Sequence, residues 1–242
     1  MAGVLPMIRQ HEEKAETMKP ITMLTAALLV LSLLVPATVH AADSYTASLA
    51  AADAALGSGN ADSALRELSA ALDQAATPGE RALALAKKGY VLAFLKLDYA
   101  AARQAVDEAM TIEMEPVAKV TALQALAQCQ IKADQDLHGA LANLETALSL
   151  PGVEWAHPGL VTTQADCYRE ILQLDEAMSA YRRVTLMADA DPALKAGAWL
   201  NIGYIYQYDR KDASAAREAY AKAVALKPDL KPEVKKHLAD LP

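Results

Sequence analysis

The chain has 242 residues and a net charge of −7, with a pI near 5.3. This acidic balance excludes a general nucleic-acid-binding protein, because such a protein needs a basic face to neutralise phosphates. Aromatic residues make up only 5% of the chain and Phe94 is its one phenylalanine, which excludes a core of aromatic clusters and favours thin layers of alanine-rich helices.

The first 41 residues have the form of a secretory leader. Lys19 precedes an apolar run at 21–35, and Val39 and Ala41 are small residues at the −3 and −1 positions of a signal-peptidase site. A helix of 15 residues reaches only about 22 Å, whereas a spanning helix needs about 20 residues. We therefore expect cleavage after Ala41, or one residue later at Ala42, and a mature chain without stable membrane insertion.

Two alternatives remain open at this end. Residues 1–17 contain three Glu and one His, which is unusual for a basic leader start, so Met18 is an alternative first residue. An uncleaved leader would instead anchor the chain in the inner membrane.

Five segments of residues 42–228 repeat every 37 to 39 positions. Each has a small residue, an apolar residue four positions later, and a small or β-branched residue three further on. Spacings of four and three fall on one helical face, so each segment is predicted to be an amphipathic helix that a neighbour can approach closely. The five sets are Ala64, Leu68 and Ala71; Ala102, Val106 and Ala109; Ala140, Leu144 and Ala147; Ala177, Tyr181 and Val184; and Ala216, Tyr220 and Ala223.

A second helix is predicted ahead of each of these segments. An apolar or aromatic residue follows its small residue by three positions in four of the five units, and Gln130 breaks the pattern in the third. Short polar turns such as GSGNAD and YDRKD join the two helices of a unit. The small residues of these first helices are Ala52, Gly89, Ala127, Ala165 and Gly203.

The pattern is clearest at 199–228, where the spacing has one extra residue in the turn, and residues 165–184 fit without an insertion. It resembles the tetratricopeptide-repeat family, which pairs helices in units of about 34 residues. The resemblance implies an all-α fold, a right-handed solenoid of about five antiparallel helix pairs. The departures are a period near 38 and a longer third connection at 148–160, and the Sel1-like class of helical repeat is the alternative. The signature positions of the last unit are Trp199, Asn201, Gly203, Tyr206, Ala216, Tyr220, Ala223 and Pro228.

Residues 229–242 follow the last unit and are predicted to form a short capping helix. Pro232 suits a first turn, and Val234, Leu238 and Leu241 have the i, i+4, i+7 spacing of an amphipathic helix. A solenoid needs such a cap to shield its last apolar face.

The sequence contains no pattern typical of catalysis or of cofactor binding. Glycine-rich phosphate loops and nucleophile elbows are absent, and the mature histidines are too far apart for a metal site, so we expect no catalytic residues, cofactor or metal. Cys129 and Cys167 occupy equivalent places on successive first helices. Packed helices lie about 8–10 Å apart and a disulfide needs Cα atoms within about 7 Å, so two free, partly buried thiols are predicted.

In the resembling family the first helix of each pair lines a concave, ligand-binding face. An aromatic pair is expected at each end of this groove, as exposed ridges at Tyr90 with Phe94 and at Tyr204 with Tyr208. The carboxylate-binding set of one family subtype is absent, because its positions hold Asp53, Tyr90 and Gln128 here. The corresponding groove residues are Leu49, Asp53 and Leu56; Ala86, Tyr90 and Phe94; Gln124, Gln128 and Lys132; Asp166, Arg169 and Glu170; and Leu200, Tyr204, Gln207 and Tyr208.

These features predict a non-enzymatic interaction scaffold in the bacterial periplasm. Its expected partner is a peptide or helix of an envelope protein, held in the concave groove. The alternative is a structural or assembly subunit of a membrane-associated envelope complex, which would use the ends and the convex face of the solenoid.

Overall fold

The computed structural model describes residues 37–241, with side chains from Ser44 onward. The apolar run of the leader lies outside the described residues, and Ala37 to Ala41 belong to the start of the first described helix. Cleavage after Ala41 therefore stays a prediction. Within the described part of the chain, no helix combines the length and the apolar character that crossing a bilayer requires.

Eleven α-helices make up the described region. Short 3₁₀ turns at Glu154–Ala156 and Pro228–Leu230 lie in the connections before α7 and α11. The helices are α1 (Ala37–Gly57), α2 (Ala61–Gln74), α3 (Pro78–Val91), α4 (Tyr99–Met110), α5 (Pro116–Cys129), α6 (Leu137–Leu148), α7 (His157–Glu170), α8 (Leu174–Leu186), α9 (Pro192–Tyr204), α10 (Ala213–Leu226) and α11 (Lys231–Ala239).

The first ten helices form five consecutive pairs, and each pair packs on the next. Odd-numbered helices are the first members of the pairs and even-numbered helices the second. The final helix, α11, packs on α10 at the end of the stack. The predicted fold class, an all-α solenoid of five helix pairs with a terminal helix, is confirmed.

Close packing within each pair follows from the small and large residues that the repeat places there. All fifteen positions of the second-helix pattern are at most 1% exposed. On the facing helices Gly89 and Gly203 have no space for a side chain, because a Cβ atom would lie 2.7 Å from Val106 Cγ2 and 2.4 Å from Tyr220 Cε1. Each glycine therefore admits the large residue of its own partner helix.

The extra residue of the last repeat is accommodated inside the helix and not in the turn. The first helices of the second, third and fifth pairs end in π-helical turns, at Leu92–Lys96, Gln130–Asp134 and Ile205–Asp209. In these three pairs the N-cap of the second helix lies nine positions after the small residue of the first helix. In the other two pairs it lies eight positions after that residue. A π turn absorbs one added residue while the flanking helix keeps its packing, so the five core patterns stay in phase.

The turns between paired helices share one backbone shape. One residue in each has a positive φ, and the fourth turn uses Leu172 with φ 62°. The next residue is the N-cap, whose side chain accepts a backbone hydrogen bond in four of the five pairs. The fourth pair differs, because Gln173 has similar backbone angles (φ −82°, ψ 72°) but makes no such bond. The four bonded N-caps are Asn60, Asp98, Asp136 and Asp212.

We expect Gln173→Asn to stabilise the protein by about 1 kcal/mol, because the shorter amide can reach the backbone N–H groups of the first turn of α8. Asn also avoids adding charge beside Asp175 and Glu176, the acidic residues of that turn. Urea unfolding measures the gain. Conversely, Asp98→Ala removes an existing N-cap and should lower the free energy of unfolding by about 1 kcal/mol. A substituted protein no more stable than wild type would contradict the equivalence of the five turns.

Cys129 and Cys167 are free thiols in the structure, and both are more deeply buried than the sequence predicted. Cys129 Sγ lies 3.6 Å from the carbonyl oxygen of Tyr99, to which it donates. Burial raises the pKa of both thiols, that of Cys167 to about 11. Because the thiolate is the reactive form, these cysteines are packing residues at neutral pH.

Candidate functional site

The first helices of the pairs surround a cavity of about 410 Å³, here called the Trp155 cavity. Its wall combines residues from α1, α3, α5, α7 and α9 with two connections, those before α7 and before α9. It therefore draws on residues from all five repeats. The lining residues are Leu56, Lys87, Tyr90, Thr121, Gln124, Trp155, Ala156, Pro158, Gly159, Asp189, Asp191 and Leu194.

Trp155 is the largest apolar side chain of this wall and is 60% exposed. It lies in the 3₁₀ turn of the long third connection, between Val153 and Ala156, which are 0% and 5% exposed. The Ala156 N–H donates to the Val153 carbonyl at 2.9 Å and closes the turn. Two buried neighbours thus fix the backbone while the indole between them stays accessible. Sequence reasoning noted the length of this connection but did not select Trp155 as a site residue.

Tyr90 supplies the second aromatic ring of the cavity. Its ring stacks on Phe94 with centroids 4.4 Å apart and planes inclined by 26°, and both rings are partly buried against the core of the second repeat. Burial raises the pKa of Tyr90, so the phenol is neutral at physiological pH. Of the aromatic pair predicted at the N-terminal end of the groove, Tyr90 lines the cavity, and Phe94 does not line it but stacks on Tyr90.

The polar part of the wall is mixed. Lys87 Nζ lies 2.6 Å from Asp53 Oδ1 on the neighbouring first helix. Asp191 Oδ1 accepts from the Ala193 N–H at 2.6 Å and caps α9. Asp53, a predicted groove residue, therefore contributes to the cavity through Lys87, and the predicted Gln124 lines it directly.

A second cavity of about 650 Å³, here called the Asp166 cavity, lies between the third, fourth and fifth first helices. It brings together four of the predicted groove residues, Lys132, Asp166, Arg169 and Glu170. Arg169 Nη2 donates to Glu170 Oε1 at 3.1 Å, while its Nε is buried without a partner. The lining residues are Ile131, Lys132, Gln135, Leu137, Asp166, Cys167, Arg169, Glu170 and Asn201.

The carboxylate of Asp166 accepts a hydrogen bond from the hydroxyl of Tyr181, which is fully buried. Burial raises the pKa of Asp166 above its usual range, and the hydrogen bond from Tyr181 opposes part of that rise. The folded protein thus binds this proton more tightly than the unfolded chain does. The resulting stability is fully present below the usual Asp pKa of about 3.9 and is lost as the pH rises through the raised value.

Asp166→Asn should therefore stabilise the protein at neutral pH and flatten the fall in stability above about pH 4. The substituted amide keeps an oxygen that can accept from Tyr181 but carries no charge to desolvate. Urea unfolding from pH 4 to pH 8 measures both the stability at neutral pH and its dependence on pH. Asp73→Asn, at an exposed position, is the control and should follow the wild-type profile. A stability loss in Asp166→Asn at neutral pH would contradict the assignment.

Comparison with known proteins rests on the fold. No family model and no curated protein matches the sequence. Solved structures do match. MamA is 17% identical, the match covers 75% of this chain and 96% of MamA, and the TM-score is 0.52. YrrB, a TPR protein with an unusual peptide-binding site, is 24% identical, the match covers 76% of this chain and 88% of YrrB, and the TM-score is 0.51. BtubC from P. vanneervenii is 13% identical, the match covers 83% of this chain and 82% of BtubC, and the TM-score is 0.54.

This chain has the tetratricopeptide-repeat fold.

At the C-terminal end of the tetratricopeptide-repeat solenoid, the cap covers part of the predicted groove. Tyr204 Oη donates to Glu233 Oε1 at 2.7 Å, and its ring packs edge-on against His237 at 4.7 Å between centroids. Tyr208 is 46% exposed, and its hydroxyl lies 2.9 Å from His237 Nδ1. This pair is therefore not the free aromatic ridge expected from the sequence, because α11 contacts both rings.

Gln207 was predicted to face the ligand, but the structure buries it. It is 6% exposed, its amide nitrogen donates to the His237 carbonyl at 2.9 Å, and its amide oxygen accepts from Tyr220 Oη at 2.6 Å. Gln207 therefore lies between Tyr220 of α10 and the cap, and the expectation of a ligand-facing Gln207 is wrong.

The remaining predicted positions lie outside the two cavities. Ala86 is fully buried, so its assignment to the ligand-facing surface is also wrong. Leu49 and Leu200 pack against core clusters of the first and last repeats, and Gln128 is partly buried on α5. The binding role of the other groove residues stays a prediction.

Proposed function

We propose that this protein is a non-enzymatic interaction scaffold that binds a peptide or helix of a partner protein in the Trp155 cavity. One observation carries the proposal: an accessible tryptophan and a tyrosine line one open cavity to which all five repeats contribute residues. Large aromatic side chains in such positions dominate many protein interfaces.

The dimensions of the cavity suit one or two side chains of an extended ligand. Its 410 Å³ lies at the lower end of the range of about 300–1,000 Å³ that is typical of ligand pockets. The fold supports this use, since YrrB combines a tetratricopeptide-repeat structure with a peptide-binding site. The chain would bind through side chains of the concave face and would need no bound cofactor.

The predicted leader supports the periplasm of a bacterium as the place of action and an envelope protein as the partner. An uncleaved leader would instead hold the same cavity beside the inner membrane. Both versions present the repeats outside the cytoplasm.

The assembly-subunit alternative has its own observation, on the second helix of the fourth pair. Leu186 is 83% exposed at the end of α8, beside Met178, Arg182 and Arg183 in a shallow depression. An isolated exposed leucine is common on protein surfaces, whereas the Trp155 cavity has two aromatic side chains in a concave wall built from all five repeats, so the cavity is the stronger candidate.

Trp155→Ala should weaken peptide binding by about 30-fold or more, since truncating an interface anchor costs about 2 kcal/mol or more. The probes are fluorescein-labelled 12-residue peptides selected on the wild-type protein from a random phage-displayed library. Fluorescence anisotropy gives the affinities, and Tyr90→Ala should act in the same direction. The thermal melt of Trp155→Ala should stay close to wild type, because the indole is mainly exposed.

Leu186→Ala is the matched control and should leave the affinities unchanged. The opposite pattern, loss of binding in Leu186→Ala with full binding in Trp155→Ala, would move the interaction to the second helices and favour the assembly subunit.

A further inference from the structure

Negatively charged side chains outnumber positively charged ones on the wall of the Trp155 cavity. Its one basic lining residue, Lys87, lies 2.6 Å from Asp53 and is neutralised by it. Asp189 and Asp191 line the opposite connection and leave two unit negative charges on the wall. The remaining polar lining groups, Thr121 and Gln124, are uncharged.

Helix dipoles reduce this negative charge without removing it. The N-terminal residues of α7 and α9 contribute to the same wall, and each helix N-terminus is equivalent to about +0.5 charge. Asp191 already accepts from the first turn of α9 with one oxygen, so its charge is partly offset. Two carboxylates against two half charges still leave the cavity negative.

From this arrangement we propose that the Trp155 cavity selects a cationic side chain, Arg or Lys, from the partner peptide. The inference rests on the proposed function and adds the chemistry of the anchor residue. A guanidinium or ammonium group can lie against the accessible ring of Trp155, whose face attracts cations through its quadrupole, and beside Tyr90, one face of which already stacks on Phe94. Asp189 and Asp191 then supply the charge-assisted hydrogen bonds that a partly desolvated cation needs.

Other anchors fit the wall less well. A carboxylate would face Asp189 and Asp191, and burying a like charge there is unfavourable. A purely apolar side chain would pack on the aromatic rings but would partly desolvate both carboxylates while offering them no hydrogen bond, and only Asp191 has the Ala193 N–H as a partner on one oxygen. Arginine is favoured over lysine, because its planar guanidinium both stacks on aromatic rings and binds carboxylates through two N–H groups. The net charge of −7 also favours encounter with a basic segment.

The test uses the full mature protein and the peptides selected from the random 12-residue library. Enrichment of Arg or Lys at one position is the first expected result. Each enriched peptide is then made with Arg replaced by citrulline, which has nearly the same shape without the charge. The citrulline peptide should bind wild type at least tenfold more weakly.

A double variant, Asp189→Asn with Asp191→Asn, identifies the groups responsible. Asn is a good N-cap residue, so the second change keeps the start of α9 intact. The Arg and citrulline peptides should bind this variant with affinities within about twofold of each other. Thermal melts of the variant and its binding to apolar control peptides show whether the fold is retained.

The outcomes separate this inference from the proposed function. Selected peptides that lose binding in Trp155→Ala but show no preference for Arg over citrulline would overturn the cationic anchor and leave the scaffold proposal standing. An Arg preference that persists in the double variant would overturn the role of the two aspartates. Failure to select any peptide that depends on Trp155 would overturn the proposed function and this inference with it.

Discussion

Gly203→Leu should destabilise the last repeat by about 1–3 kcal/mol, through overpacking. A Cβ atom at this position would lie 2.4 Å from Tyr220 Cε1, and leucine adds three further carbon atoms in the same direction. The tyrosine ring has little freedom to move, because it is fully buried and its hydroxyl bonds to Gln207 at 2.6 Å. Thermal melts and urea unfolding measure the loss.

Gly197 provides a matched control on the same helix. A Cβ atom there meets nothing within 4 Å, so Gly197→Ala should be neutral or stabilise the protein by up to about 1 kcal/mol through helix propensity. Gly203→Ala should still destabilise it. Equal melts for the two alanine variants would mean that Tyr220 does not pack against Gly203.

A size exchange tests the same contact in the other direction. Tyr220→Ala alone should cost about 3–5 kcal/mol by leaving a cavity. Combining it with Gly203→Leu should recover part of that loss, because the leucine can occupy space that the ring has left. Additive losses in the double variant would show that the two sites do not share that space.

Val234→Asp should undock the capping helix, with a loss of about 3 kcal/mol. Val234 is 4% exposed and packs with Ala216 and Tyr220, where a carboxylate would be buried with no opposite charge to offset it. Release of α11 would also remove the contacts of Glu233 and His237 with the last repeat. The uncovered end of the solenoid should then associate, since terminal caps keep repeat proteins soluble.

The measurements are thermal melts and size-exclusion chromatography over a range of protein concentrations. Lys235→Gln is the control, because it changes the net charge by the same amount at the exposed neighbouring position. A Val234→Asp protein that melts like wild type and stays monomeric at high concentration would show that α11 is not required as a cap.

The site was only partly predictable from the sequence. Tyr90, Gln124, Asp166 and Arg169 were selected from repeat equivalence, and each lines one of the two cavities. Trp155 lies in a connection that has no counterpart in the other repeats, so repeat equivalence could not select it. A tryptophan within an unusually long connection was the available signal.

Gln207 and Ala86 show the opposite limitation. Both occupy repeat positions that the family resemblance assigns to the ligand-binding face, yet both are buried. Gln207 is bonded to Tyr220 of α10 and is covered by the cap. The contacts that bury Gln207 come from α10 and from the cap, so its repeat position alone could not reveal them.

The sequence by itself determined the helix pairs and their core. Small and large residues at spacings of three and four are local information, and the fifteen second-helix positions they selected are all buried. The tertiary structure alone decided which surfaces meet across repeats, such as Leu56 of α1 and Leu194 of α9 on one cavity wall. Such contacts depend on the curvature that small rotations between successive helix pairs accumulate along the solenoid, and no single repeat encodes that sum.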